Sequence, residues 1–349
     1  MTDQPSGPGA VNQPDGRQSG GPDGHRRRRG GGEQTVVPEA EFRSYYGRPI
    51  VKAPVWRHDI PSYFFTGGVA AGAALLAAGA DLTGRPVTRR WARLASVAAL
   101  GASTYFLIND LGRPDRFHHM LRVAKPTSPM SMGTWILSGF GALAGSAAAA
   151  EVLDWGVTAR GSASPPWLRV SGRVAGVAAA AVAPALATYT AVLISDTAVP
   201  SWHEAYPALP FAFAGSALAS GAGVGLLAAP PEETGPARRL AAAGAVLEAA
   251  ATHRIENRLG LLSEPYRRGR AGTLLRAGRV LTTVGAIGAA LAPRSRVISA
   301  LSGLALLAGS AATRFGIYEG GVASAKDPKY TVVPQRERLK RRAANAPPA

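Results

Sequence analysis

Eight apolar segments recur along this 349-residue chain, most of them close to the length of a membrane span. They are PSYFFTGGVAAGAALLAAGADL (61–82), WARLASVAALGASTYFLI (91–108), MGTWILSGFGALAGSAAAAEVL (132–153), GRVAGVAAAAVAPALATYTAVLIS (172–195), ALPFAFAGSALASGAGVGLLAA (208–229), ARRLAAAGAVLEAAATHRI (237–255), AGRVLTTVGAIGAALA (277–292) and RVISALSGLALLAGSAATRFGIY (296–318). A helix needs about 20 apolar residues to cross a hydrocarbon core about 30 Å thick. The pattern therefore predicts an all-α integral membrane protein, with eight transmembrane helices in a bundle. The sixth segment is the weakest, because Glu248 lies inside it. Ala and Gly dominate over Leu, which lowers hydropathy but lets helix backbones approach closely. Gly68 and Gly72 form one small-xxx-small pair.

The mean hydropathy of +0.04 conceals these segments, because polar residues are segregated from apolar ones. Residues 1–44 are expected to be a disordered basic tail, 45–320 the membrane domain, and 321–349 a second disordered, polar, basic tail. The run HRRRRGGG (25–32) is not followed by an apolar stretch, so no cleavable export signal is expected there. The net charge of +17 fits membrane anchoring and lipid headgroups, with no nucleic-acid partner expected. The chain has no Cys, which excludes a thiolate-held iron–sulfur cluster, a Cys-ligated zinc site and a disulfide within it.

Eight crossings place both ends of the bundle on one side, here called face A. The connections on the opposite side, face B, are basic with little else: Arg85, Arg89, Arg90 and Arg93 after the first segment, Arg169 and Arg173 after the third. Face A holds the elaborate connections. These are NDLGRPDRFHHMLRVAKPTSPMSMG (109–133), SDTAVPSWHEAYP (195–207) and THRIENRLGLLSEPYRRGRAG (252–272). The basic residues are shared between the faces and do not settle which one is cytoplasmic.

None of His25, His58, His118, His119, His203 and His253 lies deep in a span, so no pair is placed to ligate a haem. His118 and His119 are adjacent, but two neighbours do not make a metal site, and they read as surface or partner contacts. Asn109 and Asp110 close the second span and Asp196 the fourth; Tyr189 lies about 10 Å below the face A boundary. Trp202 reads as an interfacial anchor, and Asp110 and Arg314 as ion-pair or helix-cap groups. Ionisable groups at membrane depth point to a polar cavity, a partner or a relay. Tyr, His and Asp near one interface suit a lipid-soluble quinone, which needs an apolar slot, hydrogen-bond donors and a proton route. The same layout suits a transporter or proton pathway through Asp110, Asp196 and Glu248, and a purely structural anchor is a third reading.

Four stretches carry a resemblance: IPSYFFTGGVAAG, NDLGRPDRFHHMLRVAKPTSPMSMGTW, YTAVLISDTAVPSW and SAKDPKYTVVPQRER. Together they resemble the NrfD family, the polysulfide-reductase-type membrane subunits of molybdopterin oxidoreductases. The DLGRP and SPMS elements are the most specific. The resemblance implies a quinone-interacting subunit without haem or a cluster of its own. It also implies a ferredoxin-like iron–sulfur subunit and a molybdopterin catalytic subunit as partners, exchange with menaquinone or ubiquinone, and a bacterial cell membrane. The family's quinone tyrosine in helix four matches Tyr189. Its helix-one histidine and asparagine fall near Tyr63 and Ile60, where neither type is present, and the acid of its DLGRP element is Asp110. The candidate quinone residues are thus Tyr189, Tyr63, Asp110, Asn109 and His203. Asp196 and Glu248 are candidate proton-relay groups. Arg113, Arg116, His118 and His119 are candidate docking residues, in a folded cap that would receive the iron–sulfur partner on face A.

Overall fold

The computed structural model describes residues 49–291 and 294–345, so the basic tail expected over 1–44 lies outside the described residues. Among the described residues there are eight long helices: α1 (Asp59–Leu82), α2 (Pro86–Asn109), α3 (Pro129–Ala159), α4 (Pro166–Ser195), α6 (Leu209–Ala228), α7 (Gly235–Arg258), α9 (Gly269–Leu291) and α10 (Arg296–Lys326). Two short helices, α5 (Pro200–Glu204) and α8 (Glu264–Arg267), and a terminal α11 (Lys329–Ala344) lie at face A. Proline opens α2, α3, α4 and α5, at a position where its missing N–H is not needed by the helix. Ser128 and Ser295 cap α3 and α10 through their side chains.

Seven of the long helices are long and apolar enough to cross a membrane; α7 falls short of that apolarity. It is nevertheless as long as α1 and packs along α6. A Cβ at Gly215 would lie 2.8 Å from the Glu248 Cα, and one at Gly244 would lie 2.6 Å from the Ala219 nitrogen. Residues that ascend along α6 thus meet residues that descend along α7. Tight backbone contact brings the Glu248 helix into the bundle despite its weak hydropathy.

The most buried spans are α1 and α6. They meet at Gly72 and Gly221, where an added Cβ at Gly221 would come 2.7 Å from the Gly72 Cα. Gly68, the other half of the small-xxx-small pair, instead leaves room for the Arg314 guanidinium. Around this seam the remaining helices expose apolar side chains outward, as Trp167, Val170, Val174 and Val177 do on α4. In a membrane protein such a stripe faces lipid.

Two expectations change. The C-terminal segment expected to be a disordered tail is helical: α10 continues to Lys326 and α11 follows it. The physical reason is local anchoring. Lys329 N–H donates to Asp327 Oδ1 at 2.9 Å, Lys329 Nζ reaches Glu264 at 2.6 Å, Tyr330 and Val332 are buried, and Arg338 pairs with Glu204 at 3.1 Å. Trp202, expected at the interface, is fully buried. Its indole donates to the Ile317 carbonyl at 2.9 Å, and the ring lies against Gly321 of α10. An indole with its one donor satisfied is stable inside protein.

Candidate functional site

The stretch 109–133 folds as a cap over the face A end of α3. A 3-10 helix spans Pro114–Leu121, and the chain returns to α3 through Ser131. The Ser131 hydroxyl donates to the Val123 carbonyl at 2.7 Å and accepts from Lys125 N–H at 3.0 Å. The Trp135 indole donates to the same carbonyl at 3.4 Å. Arg113, Arg116, His118 and His119 all stand exposed on this cap. Arg116 makes only a 3.9 Å approach to its neighbour Asp115. Asn109 is exposed and Asp110 half-buried at the end of α2. Burial, and then the nearby Asp59 charge, push the Asp110 carboxyl above its ordinary range.

Beside the cap a cleft of about 730 Å³ opens between α3 and α4. Met132 and Ile136 come from α3, and Thr188, Tyr189, Val192 and Ser195 from α4. Asp196, His203 and Tyr206 close the polar end. The Tyr189 ring is buried and packs against α3 at Gly133, where a Cβ would come 2.6 Å from its Cδ2. Tyr63 of α1 meets the same ring edge-on, with centroids 6.4 Å apart. The Tyr189 hydroxyl is buried and has no hydrogen-bond partner among the described residues. His203 Nδ1 lies 3.0 Å from the Ser195 carbonyl. A carbonyl only accepts, so Nδ1 carries the proton and Nε2 of the neutral ring is left as an acceptor.

The cleft thus gathers Tyr189, Asp196 and His203, with Tyr63 in ring contact behind them. Asn109 and Asp110 are not among the residues that line it. Sequence reasoning missed Gly133 and Tyr206. The SPMSMG and WHEAYP stretches held the only signal for them.

Glu248 belongs to a different place. Its Oε1 accepts from Thr313 Oγ1 at 2.5 Å, and the residue lines a cavity of about 20 Å³ together with Tyr266 and Thr282. Glu248 Oε2, the Tyr266 hydroxyl and Thr282 Oγ1 are buried without hydrogen-bond partners among the described residues. Next to Thr313 on α10, Arg314 is fully buried. It donates to the Phe213 carbonyl at 2.7 Å and to Ser216 Oγ at 3.2 Å, with its guanidinium 4.0 Å over the Phe213 ring. This is a structural role for Arg314, though not as a partner of Asp110. Asp196 and Glu248, paired as relay candidates, line separate cavities.

Face B is not merely basic. Asp81 of α1 and Glu151 of α3 are buried among arginines from α2 and α4. Glu151 accepts from Arg89 at 2.8 Å and from Arg93 at 3.0 Å; Asp81 accepts from Arg89 and from Arg173, each at 3.1 Å. Gly172 and Gly176 make space on α4 for Arg93, since a Cβ at Gly176 would lie 2.9 Å from its Nη2. The expectation of basic connections with little else is corrected: two carboxylates from other helices convert them into an internal ion network.

An all-helical bundle with seven candidate membrane spans among the described residues defines an integral membrane protein. Residues 50–232 match the family described as polysulphide reductase, NrfD, and the match covers more than half of the chain. The protein belongs to the NrfD family, and is a membrane subunit of the polysulphide-reductase type. No curated protein matches the chain. The matched region contains the cap and the cleft and ends before Glu248 and Arg314.

Proposed function

We propose that the protein is the quinone-interacting membrane anchor of a molybdopterin oxidoreductase complex in a bacterial cell membrane. It passes electrons between a ferredoxin-like iron–sulfur subunit, docked on the face A cap, and menaquinone or ubiquinone in the α3–α4 cleft. The observation that carries this reading is the buried, unpartnered Tyr189 hydroxyl on an apolar cleft of about 730 Å³. That volume lies within the usual range for small-molecule sites, and an orphaned phenol supplies a donor where a carbonyl oxygen needs one. A bound quinone supplies the exchange of two electrons and two protons. Tyr189 orients a carbonyl oxygen by donating its hydroxyl proton as a hydrogen bond. His203 Nε2 accepts or returns a proton at the polar end, with Nδ1 held by the Ser195 carbonyl. Asp196, exposed at the mouth, exchanges that proton with water. Met132, Ile136 and Val192 keep the slot apolar and open toward lipid.

Tyr189→Phe tests the reading, because it keeps the ring and removes the hydroxyl. The loss of one hydrogen bond of about 0.5–1.5 kcal/mol predicts quinone turnover weakened by roughly 2–13-fold in an assembled complex. Reduction of an artificial acceptor at the catalytic subunit should persist. Unchanged quinone turnover would make Tyr189 a packing residue.

A second reading, a proton pathway, rests on Glu248, which lines a small cavity with Tyr266 and Thr282 and whose Oε2 is buried without a partner among the described residues. Glu248→Gln would then abolish proton movement in proteoliposomes while quinone turnover continued without it. A purely structural anchor would show neither effect.

A further inference from the structure

We propose that face B carries a binding site for an anionic glycerophospholipid, in a second cleft of about 530 Å³ between the start of α4 and the end of α3. Asp81 and Glu151 at its base are already engaged by Arg89, Arg93 and Arg173. The positive charge is not used up by them. Arg169 also lines the cleft; its side chain donates to the Ser164 carbonyl at 3.2 Å and makes no ion pair among the described residues. Arg173 holds Asp81 through Nε while its side chain remains 63% exposed. Arg93 is 7% exposed, and its Nε is buried without a partner. A second orphan lies on the same wall: Asp154 Oδ1 is buried and unpaired.

This donor set has a specific chemical complement. Guanidinium groups bind phosphate oxygens through directed pairs of N–H donors. A carboxylate oxygen left without a donor takes a hydroxyl. Phosphatidylglycerol carries both groups, one phosphate charge and headgroup hydroxyls. The apolar side of the cleft fits the rest of such a lipid. Val170 and Val174 line it and belong to the outward stripe Trp167–Val170–Val174–Val177, along which acyl chains can lie. Arg169 and Arg173 stand about 5 and 10 Å along α4 from its first residue, at headgroup depth for a helix that starts at the membrane surface. The face A clefts differ: the one beside the cap is closed by Asp196 and His203, and a smaller one of about 200 Å³ sets Arg254 and Arg258 beside Glu204.

The test uses the full-length protein in phosphatidylcholine nanodiscs doped with phosphatidylglycerol. Retained lipid is measured by native mass spectrometry, and the gain in melting temperature on doping is measured in parallel. Wild type should retain phosphatidylglycerol over phosphatidylcholine and gain stability from it. Arg169→Gln, which breaks no ion pair, should lower retention several-fold, and Arg169→Gln with Arg173→Gln should lower it by tenfold or more. Arg113→Gln on face A should leave it unchanged. Each variant's melting shift is read against its own undoped baseline, so a weakened fold does not obscure the result. Equal retention by wild type and Arg169→Gln would overturn the proposal. Displacement of the lipid by inorganic phosphate at similar concentration would also overturn it, by showing a free-anion site rather than a lipid site.

Discussion

Arg89 and Arg113 lie in basic stretches at the two ends of one helix, yet the fold uses them in opposite ways. On face B, Arg89 is drawn between Asp81 and Glu151 and fixes three helices against one another. On face A, Arg113 stands exposed on a cap held together by backbone and serine hydrogen bonds. The difference is set by where the carboxylates are. Face B has two buried acids within reach, whereas Asp115 on the cap is as exposed as the arginine beside it. Charge consumed inside the protein acts on folding; charge left at the surface is available to a partner.

The largest effect that tests this contrast is expected from Glu151→Ala. Removing one partner of a buried charge network costs about 3–5 kcal/mol. Thermal unfolding in detergent should report it, and a loss below about 1 kcal/mol would mean that the network is hydrated and loose. Gly133→Ala comes next. A methyl group there collides with the Tyr189 ring, and overpacking of this kind costs about 1–3 kcal/mol. Its signature is a quinone defect at least as large as that of Tyr189→Phe in a complex that still assembles.

A smaller effect is expected at the α11 anchor. Hydrogen bonding to Lys329, together with the charges of Lys329 and Arg268, lowers the Glu264 carboxyl below its ordinary range. The stabilisation it gives is present above the unfolded-state value and is lost as pH falls through the lowered folded-state value. Hydrogen exchange should show α11 amides opening at acid pH before those of α10, and Glu264→Gln should remove that dependence on pH. The smallest effect on stability, within about 0.5 kcal/mol, is expected from Arg113→Glu with Arg116→Glu. The same pair should release the proposed iron–sulfur subunit. Equal release by Arg169→Glu on face B would remove the distinction between the two surfaces.

Much of the bundle can be read directly from the residues, because span length and apolarity are local properties. The eight segments lie within the eight long helices, apart from a residue or so at their edges. The helices run further, as α3 and α10 do at both or one end, because polar and small residues continue a helix once neighbours support it. The helix that carries Tyr189, ending just before Asp196, was also legible through YTAVLIS. What lay out of reach depends on distance in sequence. Asp81 and Glu151 are seventy residues apart and look like ordinary acids near helix ends. Trp202 resembles any interfacial tryptophan until Gly321 and the Ile317 carbonyl are seen to receive it. Gly133 gives no sign that a tyrosine from the next helix needs its missing side chain. The basic composition of 329–344 suggests a tail, and only the docking of Lys329 and Arg338 onto acids elsewhere makes it an ordered helix.

The Gly72–Gly221 seam also imposes an order in time. The first span is made about 150 residues before the one it must touch most closely, an interval of about 8–30 s at ordinary rates of synthesis. For that period α1 waits in the bilayer with its glycine face turned to lipid or to a temporary escort. The halves of the bundle can close only when α6 arrives. Any slowing of translation between these two codons lengthens the wait, so the yield of inserted protein should be more sensitive to pauses there than to pauses after residue 221.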